Sequence, residues 1–168
     1  TSVAGQTNQI AIGKSAGNAG QNSGAIAIGL NAALTGGQGT GAVAIGVTAG
    51  ENNQGEESVA IGVTAGENSQ GPQSVAIGFG AGQGPTTSQA QDAVAIGTSA
   101  GNDGQLTGAV AIGTGAGQTG QGTSAVAIGV QAAQLNGQGA SAVAIGFQAG
   151  QDNQGTTAVA IGANAGQN

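Results

Sequence analysis

A short apolar tetrapeptide returns along the chain at nearly constant intervals. Successive copies of [IV]-A-I-G are 16 residues apart in six of nine steps, 17 in two and 19 in one. Repeats of this length are typical of stacked units that bury their apolar faces against one another. We therefore predict a partial N-terminal repeat over residues 1–9 and a single repeat domain over residues 10–168. The ten copies begin at Ile10, Ile26, Val43, Val59, Val75, Val94, Val110, Val126, Val143 and Val159.

Within each copy the pattern is that of a short β-strand. Val-Ala-Ile-Gly alternates with period two, carries β-branched residues and is bounded by glycine-containing turns. A helix is disfavoured because each recurring Gly costs about 1 kcal/mol relative to Ala. We predict an all-β fold, a parallel β-solenoid of about ten 16-residue coils. Strands stacked about 4.8 Å apart would make a rod roughly 45 Å long.

Several columns of the repeat never vary. With the first residue of each tetrapeptide as position 0, Ala stands at +1 and +6, Ile at +2 and Gly at +3 in every copy. We expect the β-branched residues to fill the interior of the coil. The predicted core strand residues are Ile12, Ile28, Ile45, Ile61, Ile77, Ile96, Ile112, Ile128, Ile145 and Ile161.

The alanines at +1 would then point away from the interior. Contact with water alone does not explain why the side chains on that face are small in every coil. Small residues in register let another sheet approach closely, which predicts self-association. An alternative is a coil so flat that Ala and Gly point inward while Val and Ile face a partner. In both versions an oligomer adds burial that a thin single rod lacks. The predicted self-association face is Ala11, Ala27, Ala44, Ala60, Ala76, Ala95, Ala111, Ala127, Ala144 and Ala160.

Glutamine stands five residues before every later strand. In a stack these amides can donate to one coil and accept from the next, which predicts a glutamine ladder; a row of solvated polar residues is the alternative. All extra residues, near Ala33, near Ala133 and in the GPTTS stretch, fall between the +6 alanine and this glutamine, so that arc is predicted to be a loop. The predicted ladder comprises Gln21, Gln38, Gln54, Gln70, Gln89, Gln105, Gln121, Gln138 and Gln154.

The composition argues against most kinds of catalytic, metal-binding and nucleic-acid-binding site. The 168 residues include one cation, Lys14, and no His, Cys, Met, Trp or Tyr, with a formal charge of -6. Acid/base, thiolate and transition-metal sites rely mainly on residues of these kinds, and binding nucleic acid takes several Lys or Arg. We expect no enzyme activity, no cofactor, no metal, no nucleic-acid partner and no membrane insertion by this segment. The glutamates near residues 51–67 are interpreted as solvated charges, with a cation site as the alternative.

One stretch carries a family resemblance. SVAIGVTAGENSQGPQSVAIG, residues 58–78, resembles the head repeats of YadA-like trimeric autotransporter adhesins, whose strands read S/A-V-A-I-G. That resemblance implies a left-handed parallel β-roll, a trimer and adhesion at a cell surface. The 16-residue step and the glutamine column depart from the family pattern. The chain is also similar to A-I-G repeat fibre proteins of phages and giant viruses.

These observations favour a structural or adhesive rod: an extracellular, cell-surface or virion-surface fibre or adhesin-head segment. The expected partners are further copies, as a trimer or an end-to-end filament, and a host surface or matrix ligand. An ice-binding solenoid is the alternative, and it would need a regular rank of exposed hydroxyl groups. The candidate rank at position −3 is Ser23, Thr40, Glu56, Pro72, Gln91, Thr107, Thr123, Ala140 and Thr156.

Overall fold

The computed structural model describes residues 8–84 and 88–167, so most of the predicted partial repeat at residues 1–9 lies outside the described residues. The described chain contains strands and turns but no helix. In order, the strands are β1 (Ile10–Ile12), β2 (Ile26–Ile28), β3 (Thr35–Gln38), β4 (Val43–Ile45), β5 (Asn52–Gln54), β6 (Val59–Ile61), β7 (Asn68–Gln70), β8 (Val75–Ile77), β9 (Val94–Ile96), β10 (Val110–Ile112), β11 (Val126–Ile128), β12 (Leu135–Gln138), β13 (Val143–Ile145), β14 (Asp152–Gln154) and β15 (Val159–Ile161).

The ten [IV]-A-I strands form one parallel sheet, in the order β1-β2-β4-β6-β8-β9-β10-β11-β13-β15. Each strand pairs with its equivalent in the next coil, so Val pairs with Val, Ala with Ala and Ile with Ile. Identical side chains therefore pile into columns along the rod. The predicted fold class is confirmed: the chain is a β-solenoid of stacked coils about 16 residues apart.

The return arc contains more strand than the sequence suggested. Arc strands form a three-stranded sheet, β3-β5-β7, and a two-stranded sheet, β12-β14. The single extra residues lie in β-bulges between Thr35 and Gln38 and between Leu135 and Gln138. They do not lie at Ala33 or Ala133, which adopt the positive φ that glycine has in the same column of other coils. Residues 85–87 of the GPTTS stretch are outside the described residues.

The core is made of alanine methyl groups. Residues at +1 and +6 are fully buried through the middle of the rod, and position −1 carries a buried Ala or Ser. The interior is narrow because glutamine side chains reach across it from the arc: the Gln121 amide nitrogen lies 2.7 Å from the Val110 carbonyl oxygen. Only methyl-sized groups fit beside these amides, so the alternating strand must turn its larger residues outward.

The predicted core was therefore wrong in its orientation. The isoleucines at +2 lie half-exposed or exposed on the outer surface: Ile12, Ile28, Ile45, Ile61, Ile77, Ile96, Ile112, Ile128, Ile145 and Ile161. The alanines expected on an outer face are instead interior residues: Ala27, Ala44, Ala60, Ala76, Ala95, Ala111, Ala127, Ala144 and Ala160, with Ala11 exposed in the first coil. The arrangement matches the flat-coil alternative, in which Ala points inward and Val and Ile point out.

Glycine at +3 is required by the stacking. Gly113 has φ +124°, and a Cβ there would lie 2.6 Å from the carbonyl oxygen of Gly129 in the next coil. A side chain would meet backbone that cannot move without separating the coils. This glycine turns the chain out of the strand and sets how closely the coils approach.

Candidate functional site

The predicted glutamines form a buried ladder inside the rod. All nine are at most 8% exposed, and several are the largest fully buried side chains of the described residues. In seven rungs an Nε2 group donates to the Oε1 atom of the next coil, at 2.9 to 3.3 Å. The bonded pairs are Gln21–Gln38, Gln38–Gln54, Gln54–Gln70, Gln89–Gln105, Gln105–Gln121, Gln121–Gln138 and Gln138–Gln154.

Each amide also ties the arc to the strand sheet. Gln105 Nε2 donates to the carbonyl oxygen of Val94 at 2.7 Å and to that of Ala109 at 3.0 Å, besides its rung bond to Gln121. Buried amides must find such partners, because an unpaired one costs about 1–3 kcal/mol. The ladder thus closes each coil and joins it to the next, a task that large apolar side chains perform in most cores.

A second amide ladder runs along the outside at position +8. Here an amide donates back to the preceding coil, in the opposite direction to the inner ladder, in five pairs. Among them, Gln134 donates to Gln118 at 3.0 Å and Gln151 to Gln134 at 3.2 Å. Sequence reasoning missed this ladder, although its column is visibly rich in amides. Position +8 reads Asn18, Leu34, Glu51, Glu67, Gln83, Asn102, Gln118, Gln134, Gln151 and Gln167.

The strand sheet presents an apolar surface to solvent. We call positions 0, +2 and +4 of all coils the outer sheet face. Phe79 is 60% exposed and Phe147 50%, and Lys14 is the one charged residue in these three columns. With strands about 4.8 Å apart and about 3.3 Å per residue, the face covers roughly 600 Å². Its most exposed members are Ile10, Ile12, Leu30, Val47, Val63, Phe79, Val130, Ile145, Phe147, Val159 and Ile161.

The acidic residues lie off this face and do not cluster into one site. Glu67 accepts a hydrogen bond from Gln83 at 2.6 Å, and Asp152 accepts one from Asn136 at 2.7 Å. Within residues 8–84 and 88–167, no group of three His, Cys, Asp or Glu residues could hold a metal ion. In the same part of the chain, no helix is long and apolar enough to cross a membrane.

Two polar surfaces of the arc are weaker candidates for a binding site than the outer sheet face. The hydroxyl rank at position −3 is exposed in most coils, but Glu56 and Pro72 interrupt it. A shallow groove of about 670 Å³ follows the arc over several coils, lined by Gly, Asn, Ser and Gln residues such as Asn53 and Ser69. The groove has no charged lining residue, and its glutamines point into the rod.

Comparison with known proteins adds no relative. No family model matches the chain, and neither the curated proteins nor the solved structures contain a significant match. The fold and its repeats define the class of the molecule: it is a repeat protein with a β-solenoid fold.

Proposed function

We propose that this chain is a non-enzymatic structural or adhesive rod, an extracellular fibre or adhesin-head segment that associates with further copies of itself. The observation that carries this proposal is the outer sheet face, a nearly uncharged surface made mainly of Val, Ile, Leu and Phe side chains, with Thr98 and Thr114 among them. Exposed apolar surfaces of this size mark interaction sites in soluble proteins. Localisation at a cell or virion surface, with a host ligand at its exposed sides, is part of the same proposal.

A second copy is the partner that fits this face best. Its roughly 600 Å² approaches the about 800 Å² that each partner buries in a stable interface. Another rod of the same chain offers the same length and the same spacing between coils, so Val and Ile rows can interdigitate along the contact. The acidic residues stay outside the contact, so the net charge of -6 does not oppose association at the face itself.

The hydrogen bonding between coils supports a mechanical role. Backbone pairing in strict register runs along the sheet, and amide ladders follow both the interior and the outside of the arc. Every coil is therefore tied to the next by several hydrogen bonds spread around its circumference. Such a stack resists bending and stretching, which suits a molecule whose work is reach and display.

The proposal is tested by the mass of the particle in solution. We expect light scattering on the wild-type chain to give a multiple of 15.3 kDa. The double variant Ile112→Lys/Ile128→Lys places two charges in the middle of the outer sheet face and should shift the mass towards the monomer. The matched control Thr107→Lys/Thr123→Lys adds the same charge to the same two repeats at exposed position −3, off the outer sheet face, and should leave the mass unchanged.

Circular dichroism of both variants checks that the solenoid is retained. A wild-type chain that stays monomeric up to high concentration contradicts the proposal. So does a folded face variant that associates as strongly as the arc variant does.

A further inference from the structure

The inner glutamine ladder is interrupted once. Gln70 Nε2 donates to the carbonyl oxygens of Val59 at 2.8 Å and Ser74 at 3.4 Å, but its rung to the next coil is missing. The Oε1 atom of Gln89, which would accept that rung, is buried without a hydrogen-bond partner. It is the one such side-chain atom among the described residues, and Gln89 is 1% exposed. We call the contact between the Gln70 and Gln89 side chains, where the amide pair is missing, the seam.

The seam coincides with the longest step of the repeat. A single extra residue is tolerated, because Gln21 still reaches Gln38 at 2.9 Å and Gln121 still reaches Gln138 at 3.3 Å across 17-residue steps. In each of those coils a β-bulge absorbs the extra residue before the glutamine. The step across the seam has three extra residues, and here the amide pair is lost.

The arc sheet also stops at the seam, whereas the strand sheet does not. Strands β3, β5 and β7 pair in sequence up to Gln70, and among the described residues no further strand joins this sheet. Beyond it the arc keeps single backbone bonds, from the Asn68 amide to the Gln83 carbonyl at 3.0 Å and from the Gly71 amide to the Gln89 carbonyl at 2.8 Å. On the opposite side, Val75 pairs with Val94 and the Gly97 amide donates to the Ile77 carbonyl at 2.8 Å. The seam therefore keeps backbone hydrogen bonds on both sides of the rod, and what it lacks is the buried amide pair in the interior.

We infer that the seam is the place where the rod opens first, with the strand sheet acting as the intact spine. At every regular rung, water that enters must replace an existing amide pair. At the seam, water instead satisfies the unpaired Gln89 oxygen, an acceptor whose isolation is costly in the closed state. Local opening is drawn from such weakly bonded regions. This inference concerns a single rod and does not depend on self-association.

Hydrogen exchange of matched backbone amides tests the inference. Each backbone amide at position −4 donates to the backbone carbonyl oxygen of the ladder glutamine in the next coil. The pairs are Gly55 with Gln70 at 2.8 Å, Gly71 with Gln89 at 2.8 Å and Ala90 with Gln105 at 2.9 Å. Their geometry is the same, but only the Gly71 bond crosses the seam. We expect Gly71 to exchange about tenfold faster than the other two after correction for intrinsic rates, the equivalent of about one hydrogen bond.

A deletion provides the second arm. Removing residues 85–87 restores a 16-residue step and should raise the protection of Gly71 to that of Gly55. Deleting Gly36, which shortens a 17-residue step whose rung is intact, should leave Gly71 unchanged. Equal protection of the three amides in the wild-type chain overturns the inference, and this comparison decides even where a deletion variant does not fold. Measuring the face variant Ile112→Lys/Ile128→Lys in parallel separates local opening from self-association.

Discussion

Replacing one ladder glutamine by leucine changes the side-chain size little but should destabilise the rod strongly, because the buried hydrogen bonds are lost. Gln121 is fully buried and donates to Val110 O at 2.7 Å, Ala125 O at 3.2 Å and Gln138 Oε1 at 3.3 Å. It also accepts a bond from Gln105 at 3.2 Å. In Gln121→Leu all of these are lost, and the Gln138 Oε1 atom keeps no donor.

The magnitude follows from the partners left behind. An orphaned buried acceptor costs about 1–3 kcal/mol, and each net hydrogen bond adds about 1 kcal/mol. Gln105 retains its bonds to Val94 and Ala109, so its amide is not orphaned. Leucine regains part of the loss by burying apolar surface. We therefore expect the free energy of unfolding to fall by about 2–4 kcal/mol.

Urea unfolding followed by circular dichroism measures this change. The control Gln134→Leu removes two comparable amide bonds of the outer ladder, where water replaces them, and should cost less than about 1 kcal/mol. A sharper control is Gln89→Leu, which removes one unpaired oxygen while creating another at Gln105, so its cost should lie below that of Gln121→Leu. Equal costs for Gln121→Leu and Gln134→Leu would refute the conclusion that the buried ladder holds the coils together.

Two further substitutions test the tight interior. Ala111→Leu forces a large side chain into a column that holds only methyl groups and should lower the free energy of unfolding by about 1–3 kcal/mol or more in urea titrations, whereas Ile112→Leu on the outer face should be nearly neutral. Gly113→Ala meets the Gly129 carbonyl and should lower the melting temperature or prevent folding, while Gly115→Asn, at a column where other coils carry Asn at the same positive φ, should be tolerated. A stable Gly113→Ala variant would contradict the stacking argument.

Part of the candidate site was predictable from spacing alone. The constant interval from each glutamine to the next strand places the amides in one column, and a column of amides in a stack can bond along the rod. The outer ladder was predictable by the same reasoning, but position +8 contains Leu34 and two glutamates, which obscures it. The missing rung at Gln89 was not predictable, because the spacing shows where residues are inserted but not that a β-bulge absorbs one of them while three leave an amide unpaired.

The sequence by itself determined the coil length, the parallel register and the arc that tolerates insertions, because all three follow from the spacing of identical residues. It did not determine which side of the strand faces inward. Alternation with period two separates two faces of a strand without saying which is buried. That choice was made by the width of the coil: glutamine amides that reach from arc to strand leave room only for methyl groups, so the larger Val and Ile side chains lie outside, where a partner can cover them.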